Sequence, residues 1–420
     1  MSPRPRVWTP EDAERYVLSL ELFGMNFGLE RMRRLMTALG HPQRRFGSIH
    51  VVGTNGKSST VRMTAAILEH HGVRSGAYLS PHLRDFCERI RVGDADIAPG
   101  VFAAAVQRAG HAAELVDSAA RGEDRVTQFE VLTAAAYSEL AAQDIEVAVV
   151  EAGLGGRYDA TNVIPSRVQV LTSVGLEHTR WLGPTITDIA REKLAVVQPG
   201  GTLVLGPRLH PDAGAEARAV AERLGVRIVW APADTGVPVG PLGAFQRRNF
   251  AVARAAAEAY LGELDIDKVA AAAMEVQVPG RLQVVGHDPL TLLDGAHNPE
   301  GIAALAESLP EIAGERRTVA VLSILDDKDA AGMLATLLPA CDAVILTSSQ
   351  NPRALPPPTL ESLTRQLDGP PTELVSGPHA ALERARALAG NDGVVLATGS
   401  IYLVADLLRT TPSRLRASIL

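Results

Sequence analysis

The chain has 420 residues, 46% of them hydrophobic and 21% charged, a globular composition that excludes a disordered, collagenous or coiled-coil protein and, at ~150 residues per domain, suggests two or three domains. Against 48 acidic side chains stand only 41 basic ones, for a net charge of −7, which excludes a broad phosphate-neutralising surface for nucleic acid and confines any bound phosphate to a local pocket. The cysteines Cys87 and Cys341 lie far apart, which excludes a disulfide framework or thiolate metal site; with no signal-peptide core and no apolar run of ~18 residues, the expectation is a soluble protein of the reducing cytoplasm.

Apolar runs alternate with segments of helical period along the chain, which predicts an α/β fold with mostly parallel strands. The first series of strands is expected at 49–52, 77–79, 147–150, 168–171 and 203–205, with helices at 59–70, 128–142 and 188–197, the last stopped by Pro199-Gly200. A second series follows at 290–293, 319–322, 343–346 and 394–397, each separated by a helix-length segment. Pro and Gly cluster from Val278 to Pro289, which sets the expected boundary: a P-loop ATP-binding domain over 1–285 and a smaller Rossmann-like domain over 286–420.

The apolar run Ile49–Val52, the turn Gly53-Thr54-Asn55-Gly56-Lys57-Ser58-Ser59-Thr60 and the helical spacing from Val61 form a strand, a glycine loop and a helix. That succession cradles phosphate: Gly53 and Gly56 let the backbone approach, amide groups at the helix start point at the anion, and Lys57 adds a cation. Val51 occupies the first glycine position of the common P-loop, so the motif is the G-T-N-G-K-x-[ST] variant. A dinucleotide fingerprint is not formed, because Gly153-Leu154-Gly155-Gly156 continues into Arg157-Tyr158 without the third glycine. Only four lysines occur, at 57, 193, 268 and 328. Where arginine otherwise carries the basic charge, a retained lysine points to a compact ammonium or a removable proton.

Taken together, 27–32 (Phe-Gly-Leu-Glu-Arg-Met), 50–60, Ser80-Pro81-His82-Leu83, Glu88-Arg89-Ile90, 151–157, Asp159-Ala160-Thr161-Asn162, Glu177-His178-Thr179, Glu192-Lys193, Pro279-Gly280-Arg281, 294–299, Asp327-Lys328-Asp329 and Thr398-Gly399-Ser400 resemble, in order, the folylpolyglutamate synthase and dihydrofolate synthase family of the Mur ligase superfamily. The resemblance implies an ATP-dependent, carbon–nitrogen bond-forming ligase that phosphorylates a carboxylate of dihydropteroate or a reduced folate and lets the amine of L-glutamate displace phosphate. Activation is needed because a carboxylate is anionic and its oxygen leaves poorly. A cell-wall Mur ligase is the alternative enzyme, but a sugar-nucleotide domain of ~100 residues would precede the loop, and only 52 residues precede Gly53. An inactive nucleotide-binding relative is the alternative from another class.

The resemblance also implies roles. Gly53, Thr54, Asn55, Gly56, Lys57, Ser58 and Ser59, with Gln246, Asn249, Arg281 and Asp294, contact ATP. Ser80, Glu151, His178 and a carbamylated Lys193 hold Mg²⁺, at two sites; Lys57, Lys193 and His297 are catalytic. Glu151 closes an apolar strand, where a carboxylate projects into the crevice of an open α/β sheet, and these hard or borderline ligands suit Mg²⁺. Asp159, with Ser80 and His82, is expected at the acceptor, although an Asp before Ala160-Thr161 equally caps a turn. Arg281, Asp294 and His297 fall at the expected junction, where a closing domain would exclude water. Asn298 before Pro299 reads as a helix cap. Departures from the family pattern are Ser58, tolerated if its N–H faces phosphate, Tyr158 near the acceptor, Gln198, and Phe245 in place of a histidine before Gln246. A monomer is expected, binding small molecules and neither nucleic acid nor membrane.

Overall fold

The computed structural model describes residues 6–21, 28–120 and 125–409; Phe27, the first residue of the 27–32 motif, lies outside them. Within these residues the chain forms two compact units, one of 6–238 with 248–276, the other of 239–247 with 277–409.

The first unit holds β1 (Gly47–Val52), β2 (Ser75–Tyr78), β3 (Ile90–Val92), β4 (Ala95–Asp96), β5 (Val147–Glu151), β6 (Val168–Leu171), β7 (Thr202–Leu205) and β8 (Arg227–Trp230). They assemble in the order β4-β3-β2-β5-β1-β6-β7-β8. All neighbours are parallel except β2–β3 and β3–β4. Ile49, Val51, Val149 and Val150 are fully buried, as expected of central parallel strands covered on both faces. From β1 the chain crosses to β2 on one side and later returns to β6 on the other, so β1 is where the strand order reverses. The carboxyl ends of β1, β5 and β6 therefore border a crevice of the kind that holds ligands in open α/β sheets.

Helices follow local signals. Gln128–Ala142 starts with a capping box in which Thr127 and Glu130 serve each other's backbone N–H. It lacks an amphipathic stripe because it lies between the Pro99–Ala119 helix and strands β2 and β3. The helix expected from Asp188 begins at Ile186, because Thr185 is its cap and accepts from Asp188 N at 3.2 Å. It ends at Leu194. The β3–β4 hairpin is an addition to the parallel pattern, since strands of three and two residues carry no readable period.

The second unit holds β9 (Gln283–His287), β10 (Leu290–Leu293), β11 (Thr318–Leu322), β12 (Ala343–Leu346), β13 (Thr372–Leu374) and β14 (Val394–Thr398). Their order is β13-β12-β11-β14-β10-β9, parallel except for β9. The expected boundary at 285/286 falls inside β9. The helix Ala244–Leu261 starts in this unit and continues in the first from Arg248 onward. Leu396, fully buried in β14, packs in a core with Leu292, Leu305, Leu322 and Leu334. Leu396→Ala is expected to destabilise the second unit by ~2–5 kcal/mol through lost burial and a residual cavity. Chemical denaturation read by hydrogen exchange on β10, β11 and β14 checks this. Among the described residues no helix is long and apolar enough to cross a membrane.

Candidate active site

The phosphate loop is shaped by contacts from Thr172 and Ser173, the two residues that follow β6. Thr54 N donates to Ser173 O at 2.9 Å and Asn55 N to Ser173 Oγ at 2.8 Å, while Thr172 Oγ1 donates to Asn55 O at 2.7 Å. Gly53 adopts φ +155° and a Cβ there would meet Thr172 Oγ1; Gly56 adopts φ +84° and a Cβ would meet the Asn249 amide. Both positions thus require glycine. The Lys57–His70 helix starts at Gly56 with no side-chain cap, so its first N–H groups are left for an anion. Ser58 and Ser59 lie in its first turn. Lys57 Nζ donates to Gly53 O and Thr54 O, both at 3.1 Å. Lys193 Nζ reaches the same Gly53 O at 2.9 Å. Burial and then the nearby Lys57 ammonium push the Lys193 amine down to about 7.

Glu151, 1% exposed at the end of β5, gathers oxygens around it. Ser58 Oγ donates to Glu151 Oε1 at 2.9 Å and Ser80 N to Oε2 at 3.2 Å. The Ser58 hydroxyl therefore faces the carboxylate, an arrangement the spacing did not reveal. Its position two residues after Gly56, at the helix start opposite β5, is the signal that could have found it. Arg89, buried, donates to Ser80 Oγ at 3.4 Å and to His82 Nδ1 at 3.0 Å. His178 caps the short Thr179–Leu182 helix in a left-handed conformation, its Nε2 3.9 Å from Glu177 Oε1. Among the described residues no group of three or more His, Cys, Asp or Glu side chains gathers to hold a metal ion. The hard oxygens of Ser58, Ser80 and Glu151 beside the loop nevertheless fit a Mg²⁺ that takes its other ligands from phosphate and water. Cys87 has its thiol pushed up to about 12, chiefly by burial, which suits packing rather than nucleophilic chemistry.

A cavity of about 540 Å³ opens in the same unit, lined by Phe129, Tyr158, Asp159 and Trp181 and by the Gly153–Gly156 turn. Arg31 and the buried Glu130 line it as a partly buried ion pair at 3.2 Å. Ser80 and His82, expected with Asp159 at the acceptor, are not in this lining. The turn docks on the helix of Lys193: a Cβ on Gly156 would meet the carbonyl oxygens of Lys193 and Glu192 at 2.7 and 2.8 Å, and Arg157 N donates to Glu192 O at 3.0 Å. Asp159 is buried and accepts from Leu154 N at 2.7 Å, from Thr161 N at 3.0 Å and from the Thr161 hydroxyl. The acceptor positions of its carboxylate are thus engaged within the chain, the turn-capping role that the sequence left open. Burial raises the Asp159 pKa, and the hydrogen bonds oppose that rise.

In the second unit, Asp294 follows β10 and clamps two turns, accepting from Leu282 N at 2.9 Å and Ala296 N at 2.8 Å. Burial raises its pKa and the neighbouring Arg281 guanidinium opposes the rise. His297 Nδ1 lies 2.7 Å from Gly295 O; a carbonyl only accepts, so Nδ1 carries the proton. Asn298 Oδ1 caps the Pro299–Ala313 helix by accepting from Gly301 N at 2.8 Å, as its place before Pro299 predicts. Gln246, buried, belongs to this unit, and Asn249, beside Gly56, to the first.

Residues 280–401 match the Mur ligase, glutamate ligase domain. The chain is 31% identical over 429 residues to the dihydrofolate synthase/folylpolyglutamate synthase of Bacillus subtilis, with 94% of this chain and 98% of that one covered. The chain belongs to the dihydrofolate synthase/folylpolyglutamate synthase family. Another relative in the family's sequence range is the probable bifunctional folylpolyglutamate synthase/dihydropteroate synthase of Haloferax volcanii, 35% identical over 428 residues; 96% of this chain is covered, but the chain spans only 50% of that protein. Among solved structures, the Mycobacterium tuberculosis folylpolyglutamate synthase complexed with ADP superposes with a TM-score of 0.89 at 31% identity, covering 94% of this chain and 96% of that one. The Escherichia coli protein in complex with DHPP and ADP gives 0.85 at 28% identity, with 96% and 98% covered. The Yersinia pestis bifunctional folylpolyglutamate synthase/dihydrofolate synthase, complexed with AMPPNP and a Mn ion, gives 0.85 at 28%, with 97% and 99% covered. Members of the dihydrofolate synthase/folylpolyglutamate synthase family with this fold thus bind adenine nucleotide, and one of them a divalent metal.

Proposed function

We propose that this chain, an ATP-dependent ligase of the dihydrofolate synthase/folylpolyglutamate synthase family, adds L-glutamate to dihydropteroate, to reduced folates or to both, as a monomer in the cytoplasm. The observation that carries the reading is the shared helix: Lys193 reaches the phosphate loop at Gly53 O while Glu192 and the Lys193 carbonyl carry the turn that lines the cavity. A nucleotide on the loop and a flat acceptor between Phe129, Tyr158 and Trp181 are thereby served from one element. The acceptor carboxylate attacks the γ-phosphorus of ATP, the bond to the β-phosphate oxygen breaks, and ADP leaves. The glutamate amine then attacks the acyl carbon, phosphate departs and the amine proton is lost.

Gly53, Thr54 and Asn55 shape the loop, whose Thr54 and Asn55 amides are engaged with Ser173; the uncapped helix start from Gly56 to Ser59 supplies amide groups to the phosphates, and Lys57 places its ammonium on the charge that develops at the transferred group. Ser80, Glu151, His178 and Lys193, joined by Ser58, are assigned to Mg²⁺, which when bound would neutralise phosphate charge. We assign Lys193 a carbamate, since its buried amine sits beside Lys57 and an amine that loses its proton can attack CO₂; the resulting anion would help hold a second Mg²⁺. Arg281, Asp294 and His297 are assigned to the nucleotide and the acyl phosphate, Gln246 and Asn249 to the nucleotide, and His82 to orienting Arg89 at Ser80. Asp159 acts on the acceptor through the turn it holds.

Purified protein is expected to release ADP only when ATP, Mg²⁺, glutamate and a pteroate or folate acceptor are all present. ADP release measured with each component omitted, over a panel of acceptors, checks this. Tight ATP binding with no ligation to any pteroate or folate would sink the assignment.

A further inference from the structure

β1 carries a histidine in its interior. His50 is fully buried between Ile49 and Val51. Its Nε2 lies 2.8 Å from Thr161 Oγ1, while its Nδ1 is buried without a hydrogen-bond partner. A buried, unsatisfied ring nitrogen costs stability that an apolar side chain of similar volume would avoid, so packing alone does not account for an imidazole here.

The directions of the hydrogen bonds follow from counting protons. Thr161 has one hydroxyl proton, and its Oγ1 contacts both His50 Nε2 and Asp159 Oδ1. An ionised Asp159 only accepts, so the Thr161 proton points to Asp159 and the oxygen accepts from His50 Nε2–H. The ring is then neutral with a bare Nδ1, consistent with burial that pushes its pKa down to about 3. In the reversed chain a protonated Asp159 would donate to Thr161 and Thr161 to His50, which strands an Nδ1–H donor in the core. Thr161 is further pinned by Tyr137, whose hydroxyl donates to Thr161 O at 3.0 Å.

We propose that His50 is a positioning residue for the acceptor: a fixed Nε2–H donor to Thr161, it completes a buried chain through Thr161 to Asp159 that holds the cavity-lining turn at Leu154. The chain also ties that turn to the strand that leads into the phosphate loop, three residues before Gly53. The inference rests on the acceptor reading of the cavity given above, and two of its readouts do not depend on activity.

The first readout is ¹⁵N NMR of the full chain, where the His50 ring is expected as the neutral Nε2–H tautomer. An Nδ1–H tautomer or an imidazolium overturns the proposal. The second is hydrogen exchange at the Leu154 and Thr161 amides, expected to quicken at least ~10-fold in His50→Leu and Thr161→Val and to stay near the parent rate in Thr161→Ser, which keeps the hydroxyl. Unchanged exchange in both of the first two variants overturns it. If the parent ligates a pteroate or folate, the same two variants should raise the acceptor KM at least ~10-fold while kcat and the KM for ATP and glutamate stay within ~2-fold, the pattern of lost acceptor binding. Equal losses in all parameters would mark a merely structural role and refute the positioning one. ADP titration shows which variants are folded; should His50→Leu fail it, the Thr161→Val and Thr161→Ser pair carries the same test.

Discussion

Replacing Lys57 with alanine is expected to slow ADP release in the complete reaction by ~100-fold or more, the usual loss when a preorganised donor to developing charge is removed from a water-excluded site. The ammonium sits on the loop's own carbonyls, 3.1 Å from Gly53 O and from Thr54 O, at the uncapped helix start proposed to bind the phosphates. Its removal leaves Gly53 O with Lys193 as a donor at 2.9 Å and leaves the Thr172 and Ser173 contacts that shape the loop. The variant should therefore fold and lose rate rather than structure. Steady-state turnover beside a thermal melt is the check, and near-normal rates would remove Lys57 from the mechanism.

Lys193→Ala and Lys193→Arg are both expected to lose nearly all turnover, for a reason that separates carbamate from charge. Arginine restores a cation but cannot react with CO₂, so an active Lys193→Arg would refute the carbamate. Short carboxylates such as formate or acetate should partly restore the alanine variant, because they return the missing anion. The pH dependence has a definite sign. An ordinary lysine is about 0.4% neutral at pH 8, whereas an amine whose pKa is pushed down to about 7 is about 90% neutral there. ¹³C-bicarbonate NMR should show carbamate growing as pH rises through about 7; a free ammonium in bicarbonate with nucleotide and metal bound would end the proposal.

Neighbouring residues carried much of this in the sequence itself. A strand, a glycine-bearing turn and a helix start are written in consecutive residues, so the phosphate loop and its lysine are legible at 49–60. Central parallel strands are apolar on both faces, which made β1, β5, β6 and β14 readable as runs. Glu151 stood out as the acid that ends one of them, and the ordered motifs identified the family.

Other features depend on which distant segments the strand order brings side by side. Ser58 meets Glu151 because β5 lies next to β1. His50 meets Thr161 across 111 residues, and neither signals the other by spacing. Asp159 reads in the sequence as a turn cap or a ligand, and only the positions of the Leu154 and Thr161 donors show what its carboxylate accepts from within the chain. The division of Gln246 and Asn249 between two units is invisible in a continuous helical period. The sequence by itself therefore determined the fold class, the loop and the family, because short-range patterns encode them. Tertiary structure alone decided which polar atoms share a proton, because hydrogen bonding depends on ångström-scale distance and direction between groups far apart in the chain.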